Sequence, residues 1–229
     1  MKRIFITGTD TDAGKTTSAT ALIHALHNHG RRCVPLKPVA AGADAVAGQL
    51  RNSDALRLME ACDIAVSVSA YQRVNPFCFA PPIAPHIAAN QAGEAVTLAA
   101  LVQHTEAVAT ANADVLIIEG AGGWLVPLND AVSLADYAQE AAAEIVLVVG
   151  MKLGCLNHAL LTAIDIERRG LKLVGWIANQ PQAKPMSEYN ANIATLKRLL
   201  RAPCLGEIPY LPEAHAEQLA DFLNVNSLL

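Results

Sequence analysis

Several features are scarce in this chain of 229 residues, and each scarcity excludes something. Long apolar runs are missing: no stretch of about 18 residues is continuously hydrophobic enough to span a bilayer. Charge is sparse and nearly balanced, with 17 Lys and Arg against 21 Asp and Glu and a net charge of −4. No basic run stands out, which removes the electrostatic footprint expected of nucleic-acid or membrane-surface binding. Cysteines at 33, 62, 78, 155 and 204 are odd in number and lack C-x-x-C spacing, so neither a disulfide framework nor a zinc site is indicated. A charged-then-apolar leader is also lacking, and the expectation is a soluble cytoplasmic protein. No repeat, low-complexity tract or linker divides the chain, and a single domain over residues 1–229 is expected.

What is present is an alternation of short apolar runs with helical stretches. Six runs read as strands: Arg3–Thr7, Cys33–Val39, Asp114–Glu119, Glu144–Gly150, Lys172–Asn179 and Cys204–Pro209. Runs such as Leu116-Ile117-Ile118 show no polar alternation, as expected of parallel strands covered on both faces. Helices are expected over Lys15–His29, Asp54–Glu60, Thr97–Ala111, Ser133–Ala142, Asn157–Arg168 and Tyr189–Leu200, with Gly30 and Gly170 ending two of them. The proline-rich segment Asn75–Pro85 reads as an ordered surface loop. This order predicts an α/β fold, a doubly wound and mostly parallel sheet flanked by helices, with its site at the C-terminal strand ends.

The strand end nearest the N-terminus carries the strongest signal. Thr7-Gly8-Thr9-Asp10-Thr11-Asp12-Ala13-Gly14-Lys15-Thr16-Thr17 joins an apolar strand to an alanine-rich helix. Backbone N–H groups of such a loop cradle nucleoside triphosphate, and the helix dipole favours negative charge there. Lys15 would reach the β- and γ-phosphates and the Thr16 hydroxyl would meet Mg²⁺. The spacing is off the usual register, because Thr9 stands where the first glycine belongs and Gly8 sits one residue early. The fold is therefore expected to be P-loop NTPase-like.

Other strand ends add chemistry. Lys37 lies in the otherwise apolar Leu36-Lys37-Pro38-Val39, where desolvating an ammonium is costly unless an anion meets it. Alone it could equally be an edge lysine reaching water. Glu119 closes a buried strand ahead of Gly120-Ala121-Gly122-Gly123, a placement suited to a Mg²⁺ ligand or, more simply, to capping a turn. Asp54 stands where a helix begins, so it either complements the dipole or, with Thr16 and Glu119, completes a hard-oxygen set for Mg²⁺. The stretch Lys152-Leu153-Gly154-Cys155-Leu156-Asn157-His158 runs from strand to helix and could bind an anion through its N–H groups. For Cys155 and His158 themselves, ordinary packing is the favoured reading. Asn179 offers donor and acceptor together, which suits a purine edge and equally an ordinary loop amide.

Taken together, Gly8-Thr9-Asp10-Thr11 with Gly14-Lys15-Thr16, Lys37-Pro38-Val39, Arg51-Asn52-Ser53-Asp54, Pro85-His86, Glu119-Gly120-Ala121-Gly122-Gly123, Lys152 to His158 and Gly206-Glu207-Ile208-Pro209 resemble dethiobiotin synthetase over almost the whole chain. The resemblance implies ATP- and Mg²⁺-dependent carboxylation of 7,8-diaminononanoate with CO₂ or bicarbonate, through a carbamate and a carbamic–phosphoric anhydride, in biotin synthesis. It implies that Asp12, Ala13, Gly14, Lys15, Thr16 and Thr17 wrap ATP, with Asp54, Glu119, Gly120, Ala121 and Gly122 nearby. Asn179, Gln180, Pro209, Tyr210 and Leu211 would surround the base. Thr11, Lys37 and Ala41 would meet the diamine, with Lys37 and Lys15 catalytic. A homodimer is implied, in which Leu153, Gly154, Cys155 and Asn157 of one subunit serve the other's substrate site.

Departures from the family pattern touch the periphery. Ala41 replaces a common serine, and Gln180 follows Asn179 where an acid is usual. Either Glu213 or Glu217 could supply a late nucleotide contact. Among competing functions, partition and division-site ATPases commonly carry a second lysine where this chain has Thr9. An amidase-like ligase would need an appended glutaminase domain. The joint presence of Lys15, Thr16, Lys37, Asp54 and Glu119 argues against a non-catalytic homologue.

Overall fold

The computed structural model describes residues 1–110 and 112–229. In chain order the first half comprises β1 (Lys2–Gly8), α1 (Lys15–Asn28), β2 (Cys33–Leu36), β3 (Val39–Ala41), β4 (Asp44–Val46), β5 (Gln49–Arg51), α2 (Ser53–Ala61), α3 (Val68–Val74), β6 (Phe77–Phe79), α4 (Pro85–Ala92) and α5 (Leu98–Ala109). There follow β7 (Val115–Glu119), α6 (Leu134–Glu140), β8 (Glu144–Gly150), α7 (Cys155–Arg168), β9 (Leu173–Asn179), α8 (Tyr189–Leu199), β10 (Cys204–Ile208) and α9 (Ala216–Ala220). The six expected strands form one sheet in the order β10-β9-β8-β1-β7-β2, and every neighbouring pair is parallel. No helix among the described residues is long and apolar enough to cross a membrane.

The pleat explains why the runs are apolar throughout. On β1, Ile4 and Ile6 enter the core beneath α1 with Leu22, Ile23, Leu26, Ile117 and Val146, whereas Phe5 faces the opposite layer with Leu116, Ile118 and Tyr137. Each such aliphatic side chain contributes ~1.5–3 kcal/mol when fully buried. Helix ends follow their local chemistry: Asn52, Ser67, Thr97 and Ser133 cap α2, α3, α5 and α6, and Ser133 forms a reciprocal box with Asp136. Gly30 and Gly170 follow the ends of α1 and α7 as expected.

Connectivity places the site. From β1 the chain passes to β2 on one side of the sheet, and from β8 it passes to β9 on the other. The crevice between the C-terminal ends of β1 and β8 is therefore the topological switch point, where ligands bind in open α/β sheets.

Several expectations need correction. The run Cys33–Val39 is not one strand: β2 stops at Leu36, and β3 pairs with β6 in a separate two-stranded sheet. Pro38 has no N–H to donate, and the Lys37 N–H turns away to the carbonyl of Val74 at 2.8 Å. The expected loop Asn75–Pro85 contains β6 and ends on the first residue of α4. Helix α7 starts at Cys155 rather than Asn157, and α5 ends at Ala109. The expected end of that helix, Ala111, lies outside the described residues.

Candidate active site

Beyond β1 the chain folds back over the sheet and enters α1 through Gly14, whose φ of 90° is left-handed. Close packing also requires glycine there, since a Cβ would stand 2.0 Å from Asn179 Nδ2. Helix α1 has neither a side-chain cap nor an acid in its first turn. Its leading N–H groups are thus left for an anion in the crevice. Asn179 Nδ2 donates to the Ala13 carbonyl at 3.0 Å, tying the end of β9 to the loop from β1. Lys15 Nζ donates to the Asp10 carbonyl at 3.2 Å. Burial, aided by the charge of Lys37, holds the Lys15 ammonium pKa below its ordinary value.

Next to this loop lies a buried cluster of charge. Lys37 is 2% exposed and Glu119 0% exposed. Lys37 Nζ donates to Glu119 Oε1 at 2.6 Å, to Asp54 Oδ2 at 2.9 Å and to the Gly120 carbonyl at 3.1 Å. Thr16 Oγ1 donates to the same Glu119 oxygen at 2.9 Å. Burial alone would lower the Lys37 pKa, but the two carboxylates outweigh it and raise it, so the ammonium stays charged. Burial would raise Asp54, and Lys37 outweighs that to hold its carboxyl below the usual range.

This cluster suits a divalent cation. Thr16, Asp54 and Glu119 converge as hard oxygen donors, and Glu119 Oε2 is buried with no hydrogen-bond partner. Two carboxylates and a hydroxyl, completed by waters and phosphate oxygens, are a donor set for Mg²⁺ rather than for a softer metal. No group of three His, Cys, Asp or Glu suited to a metal occurs among the described residues.

The cluster opens into a cavity of about 1010 Å³. Thr11, Asp12, Gly14, Lys15, Thr16 and Thr17 line it, and so do Lys37, Ala41, Asp54, Ala121 and Gly122. Asn179, Gln180, Pro209, Tyr210 and Leu211 line the same cavity, with Asn179 against the Ala13-Gly14 turn, so the expected base contacts and the expected phosphate contacts share one space. Three expected residues, Ala13, Glu119 and Gly120, are buried and do not line the cavity; the Ala13 carbonyl meets Asn179, and the Glu119 carboxylate and Gly120 carbonyl meet Lys37.

Residues 153–157 are not part of the cavity. Leu153 is 93% exposed and Cys155 is buried in the core under α7, matching the packing reading of its thiol. Lys152 Nζ nonetheless contacts Asp10 Oδ2 at 2.7 Å, linking this turn to the phosphate loop. Neither Glu213 nor Glu217 lines the cavity, whereas their neighbours Ala214 and Leu219 do. Asn52, Arg57, Pro82, Ile83 and Val126 also line the cavity, though none of them was an expected site residue. The pattern Asn52-Ser53-Asp54 at a helix start was the available signal for the first of them.

Comparison with known proteins gives the family and the fold. A family model described as an AAA domain matches residues 2–218. A protein of Pseudomonas aeruginosa (strain UCBPP-PA14) named ATP-dependent dethiobiotin synthetase BioD is 46% identical over 230 residues, covering 100% of this chain and 98% of its own. A protein of the same name from Vibrio vulnificus (strain YJ016) is 46% identical over 234 residues, with 100% and 99% covered. Among solved structures, the septum site-determining protein MinD with Mg-ADP from Pyrococcus horikoshii OT3 superimposes with a TM-score of 0.55 at 17% identity, covering 99% of this chain and 88% of that one. At that identity the likeness shows the fold alone, a P-loop NTPase architecture.

Proposed function

This chain belongs to the ATP-dependent dethiobiotin synthetase family, and on that premise we propose that it is a ligase that carboxylates 7,8-diaminononanoate and closes the ureido ring of dethiobiotin at the expense of ATP. The observation that carries this reading is Lys37, a buried ammonium held between Asp54 and Glu119 where the phosphate loop meets the cavity.

One amine of the diamine captures CO₂ as a carbamate and releases a proton. The carbamate oxygen attacks the γ-phosphorus, the bond to ADP breaks, and a carbamic–phosphoric anhydride forms. The second amine then attacks the carbamoyl carbon, expels phosphate with the former carbamate oxygen, and closes the ring. Such phosphoryl transfer asks the protein for positioning and charge compensation. Lys15 and the N–H groups at the start of α1 hold the phosphates in place. Lys37 offsets negative charge shared by the attacking carbamate and the γ-phosphoryl oxygens. Mg²⁺ held by Thr16, Asp54 and Glu119 would supply further positive charge to the phosphate oxygens.

Thr11 and Ala41 border the space beside Lys37, which suits the diamine. Asn179 spends one donor on Ala13, leaving Oδ1 to accept from an exocyclic amine of the base, with Pro209, Tyr210 and Leu211 beside it. A cytoplasmic homodimer completes the reading. Leu153, Leu161 and Ile164 present an exposed apolar face on and before α7, which a second copy would cover, bringing Leu153 to Asn157 toward its partner's diamine. The test is isotopic. With ¹⁸O-labelled bicarbonate supplied just before turnover, the route predicts one label in the released phosphate and one in the ureido carbonyl. Phosphate free of label would reject the anhydride.

A further inference from the structure

Lys37 and Asp54 sit on different elements, yet their side chains must keep one separation for the site to work. A buried polar path joins their backbones. The Asn52 N–H donates to Tyr71 Oη at 2.7 Å, and Tyr71 Oη donates to Asn75 Oδ1 at 2.9 Å. Asn75 Nδ2 then donates to the carbonyl of Lys37 at 2.7 Å and to that of Phe77 at 3.1 Å. At the other end, Asn52 Oδ1 accepts from the N–H groups of Asp54 at 3.1 Å and Ala55 at 3.3 Å, and Asn52 Nδ2 reaches the Ala41 carbonyl at 3.3 Å. From these contacts we propose that Tyr71 and Asn75 are positioning residues for the reaction, holding Lys37 and the start of α2 in one register.

Geometry separates this role from plain packing. Tyr71 and Asn75 are each 2% exposed, and neither lines the cavity. Around the Tyr71 ring, Ala55, Met59 and Val74 form an apolar cluster that a phenylalanine would fill equally well. What tyrosine adds is a hydroxyl whose acceptor and donor roles are both used, one toward each arm of the site. The Arg51 guanidinium lies 4.2 Å from the ring centroid, which fixes the ring from its outer face. Pro38 has taken Lys37 out of the main sheet, so the Val74 and Asn75 bonds replace the ladder that would otherwise hold it.

The inference rests on the functional reading above, and its test separates the two. Tyr71→Phe removes one oxygen and leaves the cluster filled. Its kcat is expected to fall about tenfold, since small misplacements of reacting groups carry costs of that order. KM for ATP should stay within about twofold, because the loop from Gly8 to Thr16 is untouched. Met59→Ala serves as the control: it weakens the same cluster without cutting the path, and should lower Tm with kcat within about twofold of wild type. Amide exchange in nucleotide-free protein gives a second readout, with protection at Asn52, Asp54 and Ala55 lost in Tyr71→Phe and kept in Met59→Ala. If Tyr71→Phe does not fold, Asn75→Ser cuts the path at its other link and carries the same prediction. Unchanged kcat with unchanged exchange in the folded variant overturns the inference, as does an equal loss of kcat in Met59→Ala. The exchange measurement needs no substrate, so it reports whether the path holds the start of α2 separately from whether wild-type protein makes the urea.

Discussion

Lys37→Ala tests the buried charge cluster on stability and activity together. The substitution deletes the ammonium that meets Glu119 Oε1 at 2.6 Å and leaves that oxygen with only the Thr16 hydroxyl. Glu119 Oε2 already lacks a partner, and the residue is fully buried. Removing one member of such a pair typically costs ~3–5 kcal/mol, because the surviving charge keeps its desolvation penalty. A domain of this size holds about 5–15 kcal/mol in total, so the variant should fold yet be visibly weakened. At roughly 2–4 °C per kcal/mol, Tm should fall by about 6–20 °C. Urea unfolding, followed by circular dichroism, measures the loss, and urea-ring formation from ATP and the diamine should be abolished in the same sample. Pairing Lys37→Met with Glu119→Gln removes both charges; it should recover most of the stability and none of the activity. A folded Lys37→Ala within about 0.5 kcal/mol of wild type would refute the argument, since that is the range of changes away from any such feature.

Other perturbations probe separate parts of the account. Gly14→Ala forces a Cβ onto Asn179 and a side chain into left-handed backbone; the cost should be about 2–4 kcal/mol by urea unfolding, with KM for ATP raised at least tenfold. Burial opposes ionisation of Asp136, but Ser133 and Arg169 outweigh it and hold the carboxyl below its ordinary value of 3.8. Its contribution is therefore present above that value and lost as the pH falls below it. Asp136→Asn should flatten this part of the acid limb in a Tm-against-pH series. Leu161→Glu places a charge on the exposed face of α7, and sedimentation should show a species of half the wild-type mass with activity reduced more than tenfold.

Much of this was legible in the sequence because it depended on local chemistry. Six apolar runs, two of them plainly without polar alternation, marked the strands of a covered parallel sheet, and Gly14-Lys15-Thr16 after the first marked the P-loop. What escaped was tertiary. Lys37 read as part of a strand because the run around it is apolar; only the bond from its N–H to Val74 and the pairing of Val39 with Phe77 reveal the break at Pro38. The β4–β5 hairpin turns at Ala47-Gly48, both at positive φ, and alanine there gives none of the usual Asn-Gly signal. Tyr71 lies on α3, which was not among the expected helices. Its hydroxyl bonds Asn75 at helical spacing and the Asn52 N–H 19 residues away, and no periodicity encodes the second contact. Residues 153–157 were singled out by resemblance, and the fold of one chain leaves them outside the cavity.

The central claim is that this cavity joins CO₂ to a diamine with ATP. Purified protein incubated with ATP, Mg²⁺, ¹³C-bicarbonate and 7,8-diaminononanoate, followed by mass spectrometry, tests it most directly. The expected product is a cyclic urea carrying one ¹³C, dependent on all four components and accompanied by equal amounts of ADP and phosphate. ATP hydrolysis without that urea, in protein shown to be folded, would contradict it.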